Sequence, residues 1–202
     1  MQQGTTEWLA ARAGKATASR FRDILAKIKT GEAADRRNYR AELVCERLTG
    51  KADASYTNAA MVWGTEHEPF ARIAYIATTG AVVDEVGFIQ HSTIMAGASP
   101  DGLIGDDGGL EIKCPNKATH LATLRAKKMP PEHMPQVQGA MLITGRKWWD
   151  FVSYHPEFPD ALQLFITRIE RDEEYISALE KEVSLFLQEV EEEVTQLTKV
   201  AA

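Results

Sequence analysis

The 202-residue sequence predicts a mixed α/β (α+β) fold: a central mixed β-sheet flanked by helices, closed by a long C-terminal helix. Three observations lead there. The first third carries apolar residues at helical spacing, the middle breaks into short β-branched or alternating stretches between turn residues, and the last thirty residues form one amphipathic pattern.

The elements follow in order. In TASRFRDILAKI, Phe21, Ile24, Leu25 and Ile28 recur at helical spacing, with Thr17 as the expected N-cap. RRNYRAELVCERLTG repeats the pattern through Tyr39, Leu43 and Leu48 and stops at Gly50; EPFARIAYIATTG stops at Gly80. Glycine after a helix supplies the left-handed conformation that ends it. AVVDEVGFIQH, IMAGASPDGLI and GLEIKC read as strands, with GDDGG as a hairpin turn between the last two. Helices are expected over about 118–128 and 132–144, and strands in WWDFVSYH and LQLFITRIE. From Asp172 to about Val200, the residues Tyr175, Ile176, Leu179, Val183, Phe186, Leu187 and Val190 share an apolar face. With no internal repeat or long linker, one domain over 1–202 is expected, its core at about 7–170 and its closing helix at about 172–200.

Composition excludes several function classes. Two cysteines, Cys45 and Cys114, cannot build a disulfide framework, an iron–sulfur cluster or a four-thiolate zinc site. The five histidines form no HExxH pattern, and no Walker-type loop is present. No apolar run is long enough for a membrane span, and the first residues show no secretory pattern, so a cytoplasmic protein is expected. The net charge of −6 argues against a polyanionic partner until its distribution is read. Residues 170–202 hold ten acidic and three basic side chains, which leaves residues 1–169 at about +1. Basic clusters in the body thus become credible. Lys27, Lys29, Arg36, Arg37 and Arg40 either line a path for DNA or form a solvated helix start.

The stretch SPDGLIGDDGGLEIKCP concentrates the chemistry. A hairpin folded about Asp106 and Asp107 sets Asp101 and Gly102 opposite Ile112 and Glu111. Glu111 and Lys113 share one strand face, and Leu110, Ile112 and Cys114 the other. Two carboxylates and an ammonium then converge, a set able to hold Mg²⁺, a hard cation that takes oxygen ligands and keeps several waters. The same residues also read as a turn aspartate and a solvated E-x-K face.

In its wider setting this stretch resembles the PD-(D/E)XK nuclease motif of the lambda exonuclease and YqaJ-type viral recombinase family. EWLAARAGKATAS, WGTEHEPFAR, MPQVQGAMLITG and ERDEEY resemble further elements of that family in the same order, from about Glu7 to Val190. The resemblance implies a restriction-endonuclease-like core and a catalytic set of Glu68, Asp101, Glu111, Lys113 and Gln138. Asp101, Glu111 and the Ile112 carbonyl would hold two Mg²⁺ ions, with Mn²⁺ as a substitute. Glu68 would act on the attacking water and Gln138 would stand beside the lysine, with Gln136 as the second choice for that place. Arg12, Ser19 and Ser99 would form a 5′-phosphate pocket. Trp8, Met61 and Lys117 are further candidate DNA contacts, Met61 as an apolar wedge and Lys117 as the nearest cation where the family has a basic residue at another offset.

Each residue has a plainer reading: a Thr65–Glu68 capping box, an Arg12–Glu7 ion pair, Ser19 as a helix start, Gln136 and Gln138 as surface amides, and packing for Trp8 and Met61. The resemblance also implies the activity. It would be an alkaline-type, Mg²⁺-dependent 5′-to-3′ exodeoxyribonuclease that digests one strand of linear duplex DNA to mononucleotides and leaves a 3′ overhang. A ring-shaped homotrimer and a single-strand annealing protein as partner belong to the same expectation, in a phage or prophage setting within a bacterial cell. The rival expectations are an endonuclease of restriction or repair type and a catalytically inactive DNA-end-binding module.

Overall fold

The computed structural model describes residues 2–52 and 58–200. Five strands form the main sheet in the order β2(Val83–Asp84), β5(Gly102–Ile104), β6(Gly108–Lys113), β7(Trp148–Tyr154), β8(Leu164–Glu170). β6 and β7 run parallel; the other pairs are antiparallel. A parallel pair needs a long crossover, here supplied by α5(Lys117–Ala126) and α6(Met134–Thr144). A smaller sheet joins β1(Ala16–Thr17), β4(Ala96–Ala98) and β3(Ile89–Gln90). The expected strand IMAGASPDGLI is therefore two strands in two sheets, with Ser99, Pro100 and Asp101 spanning the gap.

Side-chain alternation builds a core on each face of the main sheet. Trp149 and Phe151 pack with Phe21, Tyr39, Leu43, Met141 and Phe186, which come from α2(Phe21–Ile24), α3(Ala34–Thr49), α6 and α7(Glu173–Val200). Leu110, Ile112, Val152 and Tyr154 pack with Ala71 and Tyr75 of α4(Ala59–Thr79). Buried Asp150 accepts hydrogen bonds from Tyr75 Oη at 2.7 Å and from Arg168 at 2.8 and 3.0 Å, so its charge is met. Gly108 and Gly109 are required by close packing. A Cβ on Gly108 would sit 2.1 Å from Trp148 Cζ2, and one on Gly109 2.3 Å from Trp149 Cζ3.

Several local expectations shift. The hairpin pairs Gly102 with Leu110 and Ile104 with Gly108 around a turn at Gly105–Asp107, one residue off the expected register. Gly105 at φ +52° starts the turn and makes it three residues long, which sets Asp101 level with Glu111. The segment after Thr17 is a 3₁₀ turn and the four-residue α2, and Thr17 lies in β1 without capping through its side chain. α4 begins nine residues before Glu68, where Asn58 Oδ1 accepts the Met61 N–H at 3.0 Å. Thr65 is thus mid-helix and donates to the Met61 carbonyl, so no Thr65–Glu68 capping box forms. Pro69 sits inside the helix rather than in its first turn.

Of the five cations of this segment, Lys27, Arg36 and Arg40 are met by acids, and Lys29 and Arg37 are exposed. Lys27 pairs with Glu182, Arg36 is held by Glu189 at 2.7 Å and by Glu32, and Arg40 pairs with Glu32, Glu189 and Glu193. These bonds fasten α3 to the acidic face of α7 and account for part of the charge of that helix. Both cysteines are free. Among the described residues no helix is long and apolar enough to cross a membrane.

Candidate active site

The gap between the two sheets opens into a cleft of about 710 Å³. Asp101 sits just before β5, where its N–H donates to the Leu110 carbonyl at 3.2 Å. Its Oδ2 accepts the Ile112 N–H at 2.6 Å. The aspartate thereby completes the β5–β6 ladder at its end and turns toward the cleft. Glu111, 3% exposed, accepts at Oε1 from Lys113 Nζ at 2.6 Å and from Gln136 Nε2 at 2.6 Å. Glu68 comes from α4 and is held by Arg72, one turn on, at 2.5 Å. Arg72 also reaches Glu85 at 2.9 Å. Glu68, Asp101, Glu111, Ile112 and Lys113 all line the cleft.

The charges are strongly interdependent. Burial, then Glu111 and Glu68, hold the Asp101 carboxyl well above the usual range. Burial also raises Glu68, and Arg72 offsets part of that. Burial works against the Lys113 ammonium, but Glu111 and Asp101 outweigh it and its pKa is raised. The lysine is therefore a cation that donates hydrogen bonds. Burial and the neighbouring carboxylates push the Cys114 thiol up to about 12, which leaves it unreactive.

A second group lines the other side of the cleft. On α1(Thr6–Arg12), the Arg12 guanidinium lies 3.9 Å over the Trp8 ring, and Trp8 Nε1 donates to Ser99 Oγ at 2.9 Å. Trp8 thus braces two members of the expected phosphate pocket. Ser19 lies 3.3 Å from Thr17 Oγ1 and is exposed to the cleft. The Arg12 guanidinium sits over Trp8 rather than on Glu7, and Glu46 and Glu42 act on its charge. Met61 lines the cleft and is 48% exposed, so it is not packing in the core.

Two expected site residues stand elsewhere. Gln138 is buried, donates to the Glu170 carbonyl at 2.9 Å and accepts the Asp172 N–H at 3.1 Å. It ties α6 to the β8–α7 junction, and the glutamine beside Lys113 is Gln136. Two residues along a helix turn a side chain by about 200°, so only one of the pair can face Glu111. Lys117 pairs with Glu157 at 2.5 Å and does not line the cleft. Arg22 and His133 line the cleft without having been singled out. The signal for His133 was its place three residues before Gln136. Its ring stacks on Phe151, and burial together with Lys113 lowers its pKa to about 4.

Among the described residues no three His, Cys, Asp or Glu side chains gather as a metal-binding group. Two carboxylates and the Ile112 carbonyl still form an all-oxygen donor set of the kind Mg²⁺ takes while keeping water ligands. The crowding that raises Asp101 is negative charge that a cation would offset. The residues fit such an ion.

The YqaJ-like viral recombinase domain matches residues 7–147. The chain belongs to the YqaJ-like viral recombinase family. Within that family's fold, the chain is 53% identical to an alkaline exonuclease (LHK-Exo) from Laribacter hongkongensis, with a TM-score of 0.89 and 98% of each chain covered. Against LHK-Exo in complex with dAMP, identity is 54% and the TM-score 0.91, again over 98% of each chain. A phage-related exonuclease from Haemophilus somnus 129PT shares the fold at 16% identity and a TM-score of 0.73, covering 91% of this chain and 96% of that one. Comparison with curated proteins finds no match. The recombinase family is the one the sequence motifs resembled, and the mixed sheet with flanking helices and a long C-terminal helix agrees with it.

Proposed function

We propose that this chain is a Mg²⁺-dependent 5′-to-3′ exodeoxyribonuclease that degrades one strand of linear duplex DNA to mononucleotides. Its coarser part, a nuclease acting on DNA, rests on the family and on 54% identity to LHK-Exo. That relative was crystallised with dAMP, a deoxynucleoside monophosphate of the class that such digestion releases. The observation that carries the finer reading is one cleft holding both the Asp101–Glu111–Lys113 cluster and the braced Arg12–Trp8–Ser99 group.

Asp101, Glu111 and the Ile112 carbonyl would hold the metal, and two such ions would supply an activated water and offset charge on the phosphate. The Lys113 ammonium donates to the water or to a phosphate oxygen and, being charged, does not take the proton. Glu68 has a raised pKa and, not being among the residues that would hold the metal, is the carboxylate left to act on the water. Gln136 and Lys113 share Glu111 Oε1 and fix that carboxylate. Arg12, Ser19 and Ser99 would seat the 5′-phosphate and so place the terminal bond at the cluster, which gives direction without reading sequence. The same reading includes a ring-shaped homotrimer, a single-strand annealing partner and action in the bacterial cytoplasm.

The test is digestion, in Mg²⁺, of linear duplexes with and without a 5′-phosphate beside a closed circle. Release of mononucleotides from the phosphorylated ends supports the reading. Equal cutting of the circle overturns exonuclease action, and full activity in Asp101→Ala overturns the site.

A further inference from the structure

Arg125 in the last turn of α5, its cap Lys127 and the following Lys128 are all exposed. None of the three has an ion-pair partner among the described residues. Three of the four cations of α3 differ in this respect, since Arg36, Arg40 and Arg47 are bound to acids of α7 and Arg37 alone is not. Just beyond the patch, buried Met129 and the pair Pro130–Pro131 fix the chain, and Glu132, His133 and Gln136 then form cleft wall.

The backbone adds a second observation. Lys127 is the left-handed cap of α5 at φ 51°, and it is the one non-glycine residue with positive φ among the described residues. α3, α4 and α6 end in the same conformation at Gly50, Gly80 and Gly145. Glycine takes that conformation without the steric penalty a Cβ brings. A cation near a helix C-terminus does complement the helix dipole, and Arg125 already provides one. The dipole gives no reason to place a further lysine at the position the other three helices give to glycine. Strain kept at a solvent-facing residue points to a use for its side chain.

We propose that Arg125, Lys127 and Lys128 form a docking site for the phosphate backbone of the DNA duplex, outside the cleft and beside its wall. The proposal rests on the nuclease reading above. From Lys128 to Glu132 the chain can reach at most about 14 Å. The phosphates contacted would therefore lie within about four nucleotides of those at the cleft wall, at about 3.4 Å per step. Contacts of this kind hold the duplex in register and carry no sequence information.

The test measures the Kd for a 5′-phosphorylated duplex in chelator between about 50 and 200 mM salt. It compares the wild type, Lys127→Gly, and the triple variant Arg125→Gln/Lys127→Gly/Lys128→Gln. Each lost phosphate contact is expected to lower the slope of log affinity against log salt by about 0.9, so the triple variant loses about 2 to 3. Lys127→Gly is expected to lose about one such step while its Tm equals or exceeds that of the wild type, which separates lost contact from lost folding. An unchanged slope in the triple variant, with wild type still digesting DNA, overturns the docking site alone. Wild type that neither binds nor digests DNA overturns the nuclease reading and the docking site with it.

Discussion

Single side chains in the cleft make separable predictions. Lys113→Ala removes the one ammonium at the cluster and is expected to lower kcat by roughly 10²–10⁴-fold. Gln136 still bonds Glu111 in that variant, so the stability loss should stay at about 1–3 kcal/mol, read by urea unfolding. His133 gives a pH signature. Its folded pKa, about 4, lies below the ordinary value of 6.5. Below 6.5 the unfolded chain takes a proton that the folded chain refuses. The contribution is therefore complete above pH 6.5 and is lost as pH falls toward 4, on the order of 1–3 kcal/mol. His155, lowered by burial, acts in the same direction, and the raised Asp101 and Glu68 act in the opposite one. The difference between wild type and His133→Phe isolates the residue: the variant keeps a ring on Phe151, and its Tm should fall less between pH 7 and 4.5. The Asp101–Glu111–Lys113 cluster was legible because it depends on residue type and on spacing along one hairpin. The choice between Gln136 and Gln138 was not, because it depends on which side of α6 faces the sheet, and both neighbours of that helix are distant in sequence.

At the level of elements, the alternation in β6 and β7 was readable, and so were the helices that end on glycine. What escaped was the split of one apparent strand into β4 and β5. Local pattern has no term for which sheet a strand joins, and the break at Ser99–Asp101 is where the proposed phosphate pocket and the acidic cluster meet. The hairpin register also escaped, since an extra turn residue, Gly105, changes every pairing by one. The early start of α4 was hidden by Pro69, which reads as a first-turn residue but stands mid-helix. Gly108 and Gly109 look like turn residues in the sequence, yet they are strand positions pressed on by Trp148 and Trp149. Gly109→Ala, against the fully buried Trp149, is expected to destabilise by about 1–3 kcal/mol in denaturant unfolding.

For the whole molecule, net charge gave the least guidance, because the acidic α7 hid a near-neutral body and spent part of its charge on α3. Cation binding should register in global stability: Mg²⁺ at about 100 times its Kd should add about 2.7 kcal/mol to unfolding. Asp101→Asn should remove most of that gain while still accepting the Ile112 N–H through its amide oxygen, and a thermal scan with and without Mg²⁺ reads both. The bonds of Gln138 carry a different kind of consequence. One amide joins the backbone on both sides of the β8–α7 junction to the helix that presents Gln136 to Glu111. α7 and the cleft are thus mechanically in series. A partner or fused tag that pulls on the C-terminal helix would be felt at the acidic cluster, through a buried side chain outside the cleft lining.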